Sequence, residues 1–370
     1  MNKKVWVEVS RRALTGNVRE FRSIIGKRVK LWAVIKSNAY GHGLVPFARL
    51  AARRGVDGFC VDSVVEGVKL REAGIKNMVL VLGPTLDPSD GARAYAHALT
   101  LTIVNFGGLR ALARMRRKPT FHLKVDTGMH RQGFYVNDLP RAFRFAKEYT
   151  LPLMGIYTHF ASANGAAHRA FTDRQFEAFK EALALATRAG FTSLIRHAAA
   201  TGAALMDPKY HLDAVRIGKG LYGLWPSARL RSARSDVRLS PVLSWRTRVS
   251  EVKTVPSGGY IGYDLTERAK RAMRIALVPI GYWHGYPRNL SSVGVMLIRG
   301  ARVRVVGRVS MDLIALDVTR VRVRPGDTVT LIGSDGRQSI TAERFGSEVY
   351  ITNSEAVTRI NPLIERIVVY

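Results

Sequence analysis

The stretch LWAVIKSNAYGHGLVPFARLAARRGVDGFCV, residues 31–61, decides the fold. LWAVI (31–35) is five apolar residues in a row, the mark of a strand buried on both faces. LVPFARLAARRG (44–55) places apolar residues three and four apart and stops at a glycine, which reads as a helix with its C-terminal signal. GFCV (58–61) is a second buried run. Strand, helix, strand in about 30 residues is a βαβ unit. The alternation continues through MVLVLG (78–83), LTLTIV (99–104), FHLKV (121–125), LMGIYTH (153–159), SLIRH (193–197) and AVRIG (214–218). VVEGVKLREAG, LRALARMRR and RQFEAFKEALALATRAG supply helices between them. Eight such runs predict a (β/α)8 barrel of the TIM type, within an α/β fold class.

The pattern changes after about residue 225. VLSWRTRVSEVKTV, RIALVPIGY, VGVMLIRG, ARVRVVGRV, LIALDVT and DTVTLIG are β-rich and bounded by turns such as PSGG, RPGD and GSDG. They predict a mainly antiparallel C-terminal β domain. The polar, basic stretch WPSARLRSARSDVR (225–238) marks the boundary, so the expected domains are 1–230 and 231–370. The length, 370 residues, is about 2.5 times a typical 150-residue domain and agrees.

Hydrophobic residues make up 47% and charged residues 23%, which excludes disordered and collagen-like classes. No run approaches a membrane span, and the N-terminus lacks the apolar core of a signal peptide. The single cysteine, Cys60, sits in an apolar setting and reads as a buried, inert thiol of a reducing compartment, so a cytoplasmic location is expected. No metal is expected. The net charge of +30 comes from 43 Arg and 15 Lys against 28 acidic residues. The excess is spread along the chain; the clusters RLRSAR (229–234) and RVRVR (320–324) read as solvated loop or strand faces. That distribution predicts adhesion to polyanions at low salt and no specific nucleic-acid site.

In a barrel, chemistry sits at the C-terminal ends of the strands. Those ends carry Lys36, Lys124, His159, His197 and Arg216, followed closely by Thr201 and Gly218. Core packing alone does not place such a set. Lys36 directly follows five apolar residues, so it is either desolvated, which suits Schiff-base chemistry, or a lysine snorkelling to the rim. Thr201 and the Gly218 turn lie where barrels often bind phosphate. An amine for an aldehyde beside a phosphate pocket points to pyridoxal 5'-phosphate (PLP).

At AVIKSNAYGHG, VDTGMHRQGF, GIYTHFASAN, AVRIGKGLYGLWPS, YIGYDLT, PIGYWHGYPR and GRVSMD, the chain resembles the alanine racemases, with the motifs in that family's order from about residue 5 to 370. The resemblance implies a PLP-dependent homodimer with active sites shared across subunits. It would act on a small amino-acid substrate and supply D-alanine for peptidoglycan. Lys36 would carry the cofactor and act as the base on one face of Cα, and Tyr263 of the other subunit would act on the opposite face. His159 and Arg216 would support that phenol, with Arg216 facing the pyridine nitrogen. Tyr40, Thr201, Gly218, Lys219 and Ser354 would contact the cofactor. Arg131 would hold the substrate carboxylate, and Lys124, at a position often carbamylated in the family, would position that arginine. Tyr282, Met311 and Asp312 would line the substrate entrance.

Three positions depart from the family. Ser354 stands where a phosphate-contacting tyrosine is usual, Ala200 where an asparagine is usual, and His284 replaces an aspartate, which would put a group titrating near neutrality at the entrance. None removes a catalytic group. Competing readings are a racemase for serine or basic amino acids, a PLP-dependent decarboxylase, and a basic nucleic-acid-binding protein on a retired enzyme scaffold. Joint retention of Lys36, Arg131, Arg216 and Tyr263 argues against the last.

Overall fold

A computed structural model describes residues 3–85 and 87–370. The chain divides into two units. One comprises residues 14–37 and 47–240, the other 1–13, 38–46 and 241–370. The expected single division at residue 230 is therefore a discontinuous one, since the N-terminal strand joins the C-terminal sheet.

The strands are β1 (Val5–Ser10), β2 (Lys30–Val34), β3 (Gly58–Val61), β4 (Met78–Val81), β5 (Leu101–Ile103), β6 (Phe121–Lys124), β7 (Leu153–Tyr157), β8 (Ile195–His197) and β9 (Ala214–Ile217). They continue with β10 (Leu243–Arg248), β11 (Glu251–Val255), β12 (Met273–Val278), β13 (Val295–Ile298), β14 (Ala301–Val306), β15 (Ile314–Asp317), β16 (Thr328–Asp335), β17 (Gln338–Ile340) and β18 (Glu365–Val369).

In the first unit β2 to β9 are all parallel, in the orders β4-β3-β2-β9 and β5-β6-β7-β8. Bridges Leu80↔Thr100 and Ala200↔Arg216 join the two runs into a closed ring of eight. All eight strands coincide with the runs read from sequence. β3, β5, β6 and β9 are buried at every position, which is why they read as unbroken apolar runs rather than alternating ones. The helices between them run Leu44–Ala52, Val64–Glu72, Pro88–Ala96, Phe106–Arg114, Leu139–Glu148 and Arg169–Arg188. Cys60 is buried on β3, and burial pushes its thiol up to about 12, which fits an inert thiol.

The second unit is built on a sheet of order β11-β12-β15-β14-β13-β16-β10-β1-β18, with β17 on β16. It is antiparallel except for β1 beside β18. β10 alternates buried and half-buried residues, as a sheet with one covered face requires. The RLRSAR cluster, expected on a loop or strand, lies on a short helix, Ala228–Ala233, because the Ser227 hydroxyl accepts the Leu230 amide at 3.1 Å and caps it.

Candidate active site

The barrel unit places Arg216, on β9, out of solvent at 3% exposure. Its Nη1 donates to His197 Nδ1 at 2.7 Å. Its Nη2 donates to the carbonyls of Thr158 and Ala198 at 2.8 and 2.9 Å and lies 3.3 Å from His159 Nδ1. The guanidinium also lies 5.0 Å from the centre of the Tyr157 ring. A permanent charge is thus solvated by carbonyls, imidazole lone pairs and a ring face. Both imidazoles must be neutral to accept from it. Burial, reinforced by Arg216, pushes His159 down to about 3 and His197 well below its ordinary range.

Lys36 follows β2 at the mouth and is half-exposed, 3.6 Å from Asp62. The lysine is thus only partly withdrawn from solvent and has a carboxylate partner. The chain after it is unusual: Ser37, Asn38, Ala39 and Tyr40 all have φ between 51° and 55°. Four consecutive non-glycine residues in the left-handed region make a strained turn, at about 1–2 kcal/mol per residue. Such strain persists only where surrounding contacts hold it.

Lys124, at the end of β6, is 6% exposed. Burial, with Arg131 and Arg216 nearby, brings its amine down to about 8. Arg131 is exposed on a loop organised by Asp126. One carboxylate oxygen of Asp126 accepts the amides of Gly128, Met129 and His130 at 2.8–3.0 Å, and the other accepts the amide of Arg131 at 2.8 Å. These bonds hold the Asp126 carboxyl below its usual range despite its burial. Lys36, Lys124, Arg131 and Arg216 all act electrostatically on His159, so the structure brings these sequence-predicted residues together.

The predicted phosphate side forms around Thr201, which opens the helix Thr201–Met206. Its hydroxyl accepts the amides of Gly218 and Gly220 at 3.2 and 3.3 Å. Gly220 has no space for a side chain, since a Cβ would stand 2.3 Å from Phe21. Lys219 opens the turn Lys219–Tyr222, whose Tyr222 hydroxyl donates to the Val34 carbonyl on β2 at 2.8 Å. Ala200 caps the Thr201 helix without a side-chain bond, since alanine has no acceptor to offer. An amine at the mouth, a hydroxyl with two converging amides and a buried guanidinium form a donor set that fits PLP.

The remaining predicted residues belong to the other unit. Tyr40 is half-buried, and its carbonyl accepts from His42 Nδ1 at 3.0 Å. Ser354 lies on the helix Asn353–Thr358, its hydroxyl 3.1 Å from that of Thr352. Tyr263 is 66% exposed on a loop held by an Asp264–Arg308 ion pair at 3.1 Å. Tyr282 and Met311 lie on segments laced together by the amides of Tyr282 and Trp283, which donate to the carbonyls of Ser310 and Met311, each at 3.1 Å, and Asp312 lies 3.8 Å from His284 Nδ1. His284 departs from its sequence expectation. Its Nδ1 accepts the Gly281 amide at 3.1 Å, so the ring has a structural role, and burial lowers its pKa while Asp312, 3.8 Å away, opposes that shift.

The sequence reading missed four contributors: Asp62, Asp126, His122 and Tyr157. Asp62 and Asp126 were legible as acids just past strand ends. His122 and Tyr157, lying inside apolar runs, passed for core.

The family model described as alanine racemase, N-terminal domain, matches residues 9–226, and that described as alanine racemase, C-terminal domain, matches 242–368. The chain is 37% identical to the alanine racemase of Leptospira interrogans over 98% of its own length and 95% of that protein's. It is 38% identical to that of Carboxydothermus hydrogenoformans over 99% of both. Among solved structures, alanine racemase from Bacillus anthracis with bound L-Ala-P superposes with a TM-score of 0.93 at 34% identity, covering 100% of this chain and 96% of that one. The enzyme of E. faecalis superposes at 0.89 with 30% identity, over 99% and 98%. With both domain models matched and the strand-end set of Lys36, Lys124, His159 and Arg216 in place, the chain belongs to the alanine racemase family.

Proposed function

We propose that this protein interconverts L- and D-alanine with PLP, using Lys36 and the partner subunit's Tyr263 as the two bases. The observation that carries the reading is the buried Arg216, solvated by neutral histidines within the same cationic cluster as Lys36. PLP, when bound, supplies an aldehyde for the substrate amine and an electron sink for the electron pair left at Cα. Arg216, always charged, would keep the ring nitrogen unprotonated and so weaken that sink. A racemase benefits, because Cα is reprotonated before side reactions compete.

His159 turns Nδ1 toward the Arg216 guanidinium, which has no lone pair to accept a proton, so the His159 proton would sit on Nε2 and be a donor suited to the Tyr263 oxygen. A tyrosine has a pKa near 10, and such a donor would help it act as a base. Arg131 offers a forked donor for the substrate carboxylate, on a backbone set by Asp126. An amine brought down to about 8 is partly neutral at physiological pH and open to carbamylation, which would give Lys124 a negative group to hold Arg131. Thr201, whose hydroxyl accepts the Gly218 and Gly220 amides and so has its proton to give, would donate to the phosphate at the Gly218 turn. Tyr40, Lys219 and Ser354 keep the cofactor-contacting roles that the family implies. Tyr282, Met311 and Asp312 keep the entrance.

Tyr263, Leu265, Tyr282, Met311 and Leu313 are all more than 40% exposed, and such apolar exposure supports a subunit interface. Cytoplasmic D-alanine supply for peptidoglycan completes the reading. Its test is deuterium incorporation at Cα in D2O with PLP and a panel of L-amino acids, read with product chirality, and with Lys36→Ala as the blank. Exchange with inversion on alanine is expected. Exchange on serine or basic amino acids instead would move the substrate, and none on any would overturn the reading.

A further inference from the structure

Arg216 rests on His197, and His197 rests on a second buried imidazole. His122, on β6, is 1% exposed, and its Nδ1 lies 2.8 Å from His197 Nε2. The protons in this chain follow by elimination. Arg216 is only a donor, so His197 Nδ1 is a lone pair. The His197 proton is therefore on Nε2 and is donated to His122 Nδ1. The His122 proton is then on its own Nε2. A histidine tautomer is set by the bond its other nitrogen makes.

The surroundings are shaped around this pair. Trp32 meets His197 edge to face at 4.8 Å, and Tyr157 stacks on it at 4.6 Å with 10° between the planes. The Tyr157 hydroxyl is 3.1 Å from that of Thr102. Gly155, on β7, has no positive φ to explain it, yet a Cβ there would stand 2.6 Å from the His122 ring. The glycine of GIYTH is there to make room for His122.

We propose that His122 is a positioning residue of the active site: by accepting the Nε2–H of His197, it locks the tautomer that turns a lone pair to Arg216 and holds the guanidinium in one orientation. This rests on the racemase reading for its consequence, but not for its first test.

That test is the 15N signature of His197 in the full-length wild-type protein with PLP, labelled on histidine and assigned by comparison with His197→Gln. Protonated Nε2 and bare Nδ1 are expected throughout pH 6–8. A protonated Nδ1, or a cationic ring, would overturn the proposal whether or not the enzyme turns over. His122→Phe then removes the acceptor and keeps the ring volume. It is expected to lower kcat roughly tenfold or more, as loss of outer hydrogen-bond partners does, with KM for alanine little changed. The pH dependence of the bound cofactor's visible absorbance should shift with it. His122→Gln, which keeps an acceptor, should recover most of the loss, and Gly155→Ala should reproduce the defect by displacing the ring. A folded His122→Phe with wild-type kcat and an unchanged His197 signature would overturn the assignment. If His122→Phe does not fold, the wild-type 15N result decides. Absence of Cα exchange in the wild type would sink the racemase reading alone.

Discussion

At Arg216 a charge that cannot be neutralised is placed where water cannot reach it. Removing a charge from water costs several kcal/mol, so every partner must be a good acceptor. Two carbonyls and two imidazole nitrogens meet that need, and they force His159 and His197 to stay neutral. The same constraint leaves the His159 Nε2–H as a donor, the basis for pairing it with Tyr263. The mechanism is directional, so its test is too. Tyr263→Phe should slow Cα proton exchange from one enantiomer by about 10²–10⁴-fold, the usual worth of a general base, and from the other far less. Exchange measured separately from L- and D-alanine checks this, and equal losses would sink the two-base assignment. Arg216 and His159 were legible as polar residues at strand ends. His122 was not, because an inward-facing histidine in FHLKV gives the same pattern as a satisfied core residue.

Among the elements, the turn Ser37–Tyr40 carries the strain. A row of four left-handed residues is not a conformation their side chains favour, and no propensity in KSNAY announces it. Neighbouring bonds over-determine it. The Gly43 amide donates to the Asn38 carbonyl at 3.0 Å, and the Asn38 side chain accepts the Leu44 amide at 2.9 Å. At Gly41, with φ of 81°, a Cβ would stand 1.9 Å from the Val357 carbonyl, so glycine is obligatory. Ser37 is exposed, so its side chain gives little in return for its φ of 55°. Ser37→Gly should therefore stabilise the protein by about 1 kcal/mol and raise Tm by about 1 °C in a thermal melt. If the turn also serves to aim Lys36, the same variant should lower kcat. A lower Tm would show that the left-handed turn is not strained. The strands were read correctly because periodicity and burial are local signals, whereas this turn also rests on the close approach of Val357 to Gly41, which is distant in sequence.

For the molecule as a whole, the buried histidines set the response to acid. Burial pushes His42 down to about 4 and His122 and His159 to about 3, with His197 moved the same way. In the unfolded chain each titrates near 6.5. Below that value the unfolded state binds more protons, so stability is full above pH 6.5 and falls as pH drops toward 3. One pH unit below 6.5, each of the three histidines with a defined shift costs about 1.4 kcal/mol, or about 4 kcal/mol together. Denaturant unfolding at pH 7.5 and 5.5 should show a loss of that order, and equal stability would mean these rings are solvated in the native state. The sequence by itself determined the eight strands, the β-rich C-terminal region and the residues at the strand ends, because burial on both faces and chain order are written locally. Tertiary structure decided the rest. It placed β1 in the C-terminal sheet, set the left-handed turn after Lys36 and brought His122 within hydrogen-bond distance of His197. Each of these brings together groups distant in the chain, Trp6 with Arg246, Gly41 with Val357 and His122 with His197, and a pattern of residue types does not encode that meeting.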